Sequence, residues 1–106
     1  MENNRLLQQV WDGLRCVEDP EIHLNIVDLG LIYNVALVSH QDGFKVVIDM
    51  TLTSPTCPMA PHIFQNIHES IEFLEGVTAV DIQLVWDPPW SKERISEFGK
   101  MELGLI

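Results

Sequence analysis

Basic residues are scarce in this chain. Six Lys and Arg face sixteen Asp and Glu, a formal net charge of −10. So few cations cannot neutralise many phosphates, which argues against nucleic acid and anionic membranes as partners. A more basic protein partner remains compatible with that charge. Cysteine is almost as rare: Cys16 and Cys57 are the two thiols. Two are too few for a closed structural zinc site, which wants four Cys or His ligands at regular spacing. No apolar run approaches the ~18 residues that cross a bilayer. The opening Met1 to Arg5 is polar, unlike a secretory signal. These absences point to a cytoplasmic protein with reduced thiols. There is no phosphate-cradling glycine loop either: Gly43, Gly76, Gly99 and Gly104 fall at turns, caps or a helix interior. No repeat, linker or low-complexity tract interrupts the chain.

What is present is enough for one core. The 106 residues, 46% of them apolar, suit a single domain over 1–106. Leu7, Val10, Leu14 and Val17 share a helical face, which predicts a first helix from Asn4 to about Val17, capped by Asn3 or Asn4. Gly13 weakens it by ~1 kcal/mol relative to Ala. Cys16 lies at the edge of the apolar face and reads as a small packed hydrophobe. Asp19-Pro20 ends the helix. The following loop, Glu21 to Gly30, mixes acids with large aliphatics. Asp19 before it and Asp28 within it suit local turn and capping bonds, and lone His23 suits packing. Leu31 to Ser39 and Phe44 to Thr53 alternate as strands, with Asp42-Gly43 signalling the hairpin between them. A second helix runs from about Met59 to Glu75, with His62, His68, Glu69, Glu72 and Glu75 on its solvated side. Val77 to Trp86 is a third strand, and Ser96 caps a short last helix. Gly99 inside that helix reads as a weakness. The order α-β-β-α-β-α predicts an α+β domain, a three-stranded mixed sheet with helices on one face. The opposite face then needs cover or an oligomeric neighbour.

The chain is organised around Met50-Thr51-Leu52-Thr53-Ser54-Pro55-Thr56-Cys57-Pro58-Met59. It carries the end of a strand into the start of a helix. Pro55 and Pro58 flank Cys57, and Pro is tolerated in a first helical turn. A thiol placed there meets unpaired amides and the positive end of the helix dipole, which favour thiolate. Thiolate attacks electrophiles and binds metals. A buried structural cysteine at a capped helix start fits the same residues, and both readings stand.

Nucleophilic catalysis needs a base near Cys57, and His62 is the nearest histidine, with nothing to orient it. A mononuclear metal on Cys57 with Glu21, Asp28 or His62 is chemically conceivable. A metal–sulfur carrier is a further option, because thiolate is the ligand that iron–sulfur clusters use. One cysteine per chain holds a cluster weakly, so two chains or a partner's thiolates would complete the set. An incomplete set suits transfer.

Three motifs then coincide with a known family. Asp19-Pro20-Glu21 with Asn25 to Tyr33 resembles the opening signature of the SufT/PaaD-type iron–sulfur assembly factors. Met50 to Met59 resembles their cysteine motif. Val85-Trp86-Asp87-Pro88-Pro89-Trp90 and Ile95 to Leu105 resemble the closing one. The resemblance implies a small iron–sulfur assembly domain without catalytic turnover, working with scaffold and client apoproteins, as a homodimer. It implies that Cys57 is the cluster-binding thiol, with a transient cluster that two subunits can share. It places Asp19, Glu21, Asp28, Thr53, Thr56 and Pro58 in the pocket around Cys57. Trp86, Asp87, Pro88 and Trp90 would face partners. Family relatives in the phenylacetate pathway serve a multicomponent oxygenase; this chain lacks the cysteine-rich tail of some of them, which favours the general assembly branch. His23, His62 and Gly99 depart from the pattern. A pure adaptor with a structural Cys57, and a cysteine-dependent enzyme, are the alternative functions.

Overall fold

The structure is a computed structural model that describes residues 2–53 and 60–105, with 2 and 3 as backbone alone. The motif residues Thr56, Cys57 and Pro58 lie outside the described residues. Helix α1 spans Glu2–Leu14, β1 Ile32–His40, β2 Gly43–Met50, α2 Ala60–Ile71, β3 Val77–Leu84 and α3 Glu97–Glu102, with a single 3-10 turn at Lys92–Arg94. Among the described residues no helix is long and apolar enough to cross a membrane.

The sheet has the order β1-β2-β3. β1 and β2 pair antiparallel, while β2 and β3 pair parallel across the α2 crossover. Alternation along β2 buries Val46, Ile48 and Met50. Their register partners include Val35 and Leu37 on β1 and Val80 and Ile82 on β3. Helices α1 and α2 cover that face: Leu6, Val10, Leu14, Ile63, Ile67 and Ile71 join the same core. α1 packs on β1 and on α2, and α2 on β3. The mixed sheet with helices on one face is thus the predicted architecture.

The other face is mixed: Asn34, Lys45, Asp49, Asp81 and Gln83 share it with Ala36, Val38, Val47 and Ala79, and Val38 is 45% exposed there.

Element ends differ from the sequence reading for local reasons. α1 begins at Glu2, so Asn3 and Asn4 lie in its first turn instead of capping it. It ends at Leu14 because Cys16 N and Val17 N turn back to Gly13 O and Leu14 O, at 3.0 and 3.1 Å. The chain then leaves to pair with the loop: Ile26 N donates to Val17 O at 2.9 Å and Asp19 N to Leu24 O at 3.0 Å. α2 stops at Ile71, and 72–76 is a turn that reaches Gly76 at φ 98°. In the hairpin, Gly43 already pairs with His40, and Gln41 takes the left-handed conformation at φ 55°. Gly43 is small because its Cα faces the Gly76 carbonyl, where a Cβ would collide. Gly99 is likewise a packing residue instead of a weakness: a Cβ there would lie 2.8 Å from both Leu24 and Ile95. His23 is exposed at φ 60° and does not pack among the aliphatics; Cys16 is exposed as well.

Candidate functional site

Register places three parts of the chain at one end of the sheet. Ile32 pairs with Met50, and Met50 with Leu84. The loop that precedes β1, the segment that follows β2 and the segment that follows β3 therefore meet there. Thr51 N donates to Leu31 O at 2.9 Å, and Val85 N to Met50 O at 2.8 Å. In an open sheet with parallel neighbours, the space beyond the carboxyl ends of the strands is the customary ligand position. In the sequence Cys57 follows Thr53, the last described residue of the segment after β2.

The first loop is built on two carboxylates and an amide. Asp19 is 3% exposed. Its Oδ1 accepts from Glu21 N at 2.8 Å and Ile22 N at 3.1 Å, the turn role foreseen for it. Asp28 does not cap amides two residues on. That task falls to Asn25, whose Oδ1 accepts from Val27 N and Asp28 N at 3.1 and 2.9 Å. The Asp28 carboxylate instead accepts from Asn25 Nδ2 at 2.6 Å and from Ser96 Oγ at 2.7 Å. Ser96 N also donates to Asp28 O at 2.8 Å. Ser96 is the N-cap of α3, its Oγ accepting from Gly99 N at 3.0 Å. Asp28 thus clasps the last helix to the first loop.

The segment after β3 is strapped onto the same loop. Trp90 is half-buried, and its Nε1 donates to Leu29 O at 2.7 Å. Tyr33 Oη donates to Pro88 O at 2.7 Å. The Arg94 guanidinium stands 4.5 Å from the centre of the Tyr33 ring, a cation–π distance. Gly30, at φ 79°, lies against the Arg94 carbonyl, where a Cβ would collide. An open surface pocket lined by Gly30, Ile32, Tyr33, Pro88 and Arg94 results.

The sequence-selected residues divide accordingly. Asp19 spends its described side-chain bonds inside the loop, and Asp28 spends its own on the loop and on the α3 cap. Glu21 is exposed, and Thr53 is half-buried at the last described position before Cys57. Trp86 is 46% exposed, with Asp87 and Pro88 exposed beside it, whereas Trp90 turns inward. Thr51 is fully buried, and its hydroxyl has no hydrogen-bond partner among the described residues. Among the described residues no group of three His, Cys, Asp or Glu could hold a metal ion. Sequence reasoning missed Asn25, Tyr33 and Arg94. Asn25-x-x-Asp28 is an Asx-turn spacing that was there to be read; nothing local signals that Arg94 meets Tyr33.

Fold and site define a class: a small α+β domain whose one β-α-β unit offers the ends of its parallel strands, reinforced by a C-terminal strap. Comparison with known proteins makes that specific. A family model described as "Iron-sulfur cluster assembly protein" matches residues 7–82. A Porphyromonas gingivalis protein named "Fe-S protein maturation auxiliary factor" is 45% identical over 107 residues, covering 98% of this chain and 99% of its own length. A Staphylococcus aureus protein, "Fe-S protein maturation auxiliary factor SufT", is 37% identical over 84% of this chain and 98% of its own. The crystal structure of a domain of unknown function from Bacillus anthracis superposes with a TM-score of 0.87 at 36% identity, covering 100% of this chain and 98% of that one. The chain belongs to the SufT-type iron–sulfur cluster assembly family.

Proposed function

We propose that this protein is an iron–sulfur maturation factor that takes up a cluster on the Cys57 thiolate and hands it to a client apoprotein, with no catalytic turnover of its own. The observation that carries the reading is the meeting of the loop 19–31, the residues after β2 and the strap 85–96 at one end of the sheet. Exposed Trp86, Asp87 and Pro88 at that end suit contact with scaffold or client. The names of the relatives agree with such a role.

The transfer is ligand exchange at iron. A client thiolate forms an Fe–S bond as the Fe–S(Cys57) bond breaks. The incoming thiol gives up a proton, the departing Cys57 thiolate takes one up, and no electron moves. A single thiolate binds weakly enough to let go, and a second subunit of a homodimer supplies the other ligand that holds the cluster between transfers.

Anaerobic reconstitution with iron and sulfide tests this on wild type, Cys57→Ser and Cys16→Ser. The wild type and Cys16→Ser should gain a sulfur-to-iron charge-transfer absorption, and Cys57→Ser should not. The same absorption in Cys57→Ser would overturn the proposal. No cluster in any of the three would leave an adaptor that joins scaffold and client with Cys57 in a structural role. Light scattering of the loaded protein should give a dimer mass.

A further inference from the structure

We propose that the pocket between Tyr33 and Arg94 binds an acidic side chain, Asp or Glu, of a partner protein. Among the described residues its lining is Gly30, Ile32, Tyr33, Pro88 and Arg94, and Arg94 is the one charged group of the five. The guanidinium stands over the Tyr33 ring, 4.5 Å from its centre. The ring attracts the charge and leaves N–H groups of the five-donor fork available for bonding. The salt bridges among the described residues join Arg15 to Asp12 and His68 to Glu72, and Arg94 is in neither. A carboxylate is the group that matches such a fork, with two parallel hydrogen bonds.

The site is held in shape before a ligand arrives. The β1–β2 register shifts between Ile32 and Asn34, which pair with Met50 and Asp49, so Tyr33 is the extra residue of a bulge. A bulge re-aims the side chain it carries, and bulges recur beside functional sites. Tyr33 Oη donates to Pro88 O at 2.7 Å, which fixes the ring from its outer end. The Arg94 backbone is fixed as well. Its N donates to Ser91 O at 3.0 Å, and Gly30, lacking a Cβ, admits the Arg94 carbonyl. Ordering a long cationic side chain in advance lowers the entropy cost of binding.

The surroundings select the ligand. Ile32, Pro88 and the Tyr33 ring offer apolar walls to the methylenes of an Asp or Glu side chain. Exposed Asp87 and Glu93 precede Pro88 and Arg94 in the chain, and the whole chain carries −10. One guanidinium therefore suits a monoanion, whereas a phosphate dianion meets more repulsion. The inference goes beyond cluster transfer and needs no cluster. Its test uses unloaded protein, so its failure leaves the transfer reading standing, and a failed reconstitution leaves the pocket standing.

The test titrates the 15N-labelled full chain with a capped Gly-Val-Glu-Val-Gly peptide at physiological salt, beside twins carrying Gln or phosphoserine in place of Glu. The Glu peptide should shift the Arg94 Nε–H and Gly30 N–H resonances along a saturable curve. Arg94→Gln and Arg94→Lys should each weaken it by about tenfold, the second because it keeps the charge and loses the fork. Lys92→Gln, the neighbouring exposed cation, should change affinity by less than about twofold. Urea unfolding checks that each variant keeps its fold. Equal shifts with the Gln peptide or with free acetate at the same concentration would overturn the proposal. So would tighter binding of the phosphoserine peptide, an equal loss in Lys92→Gln, or no shift at all. An unloaded dimer that dissociates in Arg94→Gln would assign the pocket to a second copy of this chain and overturn it too.

Discussion

Removing the Asp28 carboxylate should unfasten the C-terminal helix, and the size of the effect follows from the clasp. Asp28 is half-buried and accepts two side-chain hydrogen bonds, from Asn25 at 2.6 Å and Ser96 at 2.7 Å. Bonds to a charged group contribute ~1.5–3 kcal/mol each, and partial exposure favours the lower end. Asp28→Ala should then cost about 3 kcal/mol. Ser96→Ala removes one of those bonds and the cap to Gly99 N, about 2.5 kcal/mol together. The double variant loses the shared bond only once, so it should cost about 4 kcal/mol and give a coupling energy of about 1.5 kcal/mol. Urea unfolding of the four proteins, followed by tryptophan emission, measures this, and Asp28→Ala should also melt about 12 °C lower. A coupling energy below about 0.5 kcal/mol, the range of simple additivity, would refute the clasp.

Gly13→Ala sets a helix-propensity gain of ~1 kcal/mol against overpacking of ~1–3 kcal/mol where the Cβ meets Ile71 and Ser70 O. The contact should win by about 1 kcal/mol, and a stabilised variant in the same urea assay would refute the close approach. Trp90→Phe keeps the ring but leaves Leu29 O without its 2.7 Å donor. It should lower stability by ~1–3 kcal/mol, with faster hydrogen exchange of amides in 28–31 as the local signature.

The strands, both long helices and the mixed sheet were legible because their apolar residues repeat at the period of the element. Val46, Ile48 and Met50 mark β2 and Ile63, Ile67 and Ile71 mark α2, and all six are buried. The cap at Ser96 was equally local and correct. Reading failed where a residue answers to something distant in sequence. Gly13 and Gly99 looked like helix defects because their neighbours, Ile71 and Leu24, lie in other elements. Gly43 looked like the turn residue, yet it yields to Gly76 across the sheet. Asp28 looked like a local cap because Ser96, sixty-eight positions away, is invisible from it.

Sequence alone determined the family, the order of elements, the acidic surface and the place of Cys57 between a strand and a helix, because each depends on residue identity or on neighbours a few positions apart. Tertiary structure decided which motifs share an end of the sheet, that Trp90 faces inward while Trp86 stays in water, and that α1 and α2 meet closely at Gly13. These follow from strand register and helix approach, which arise only when segments far apart in the chain compete for the same core.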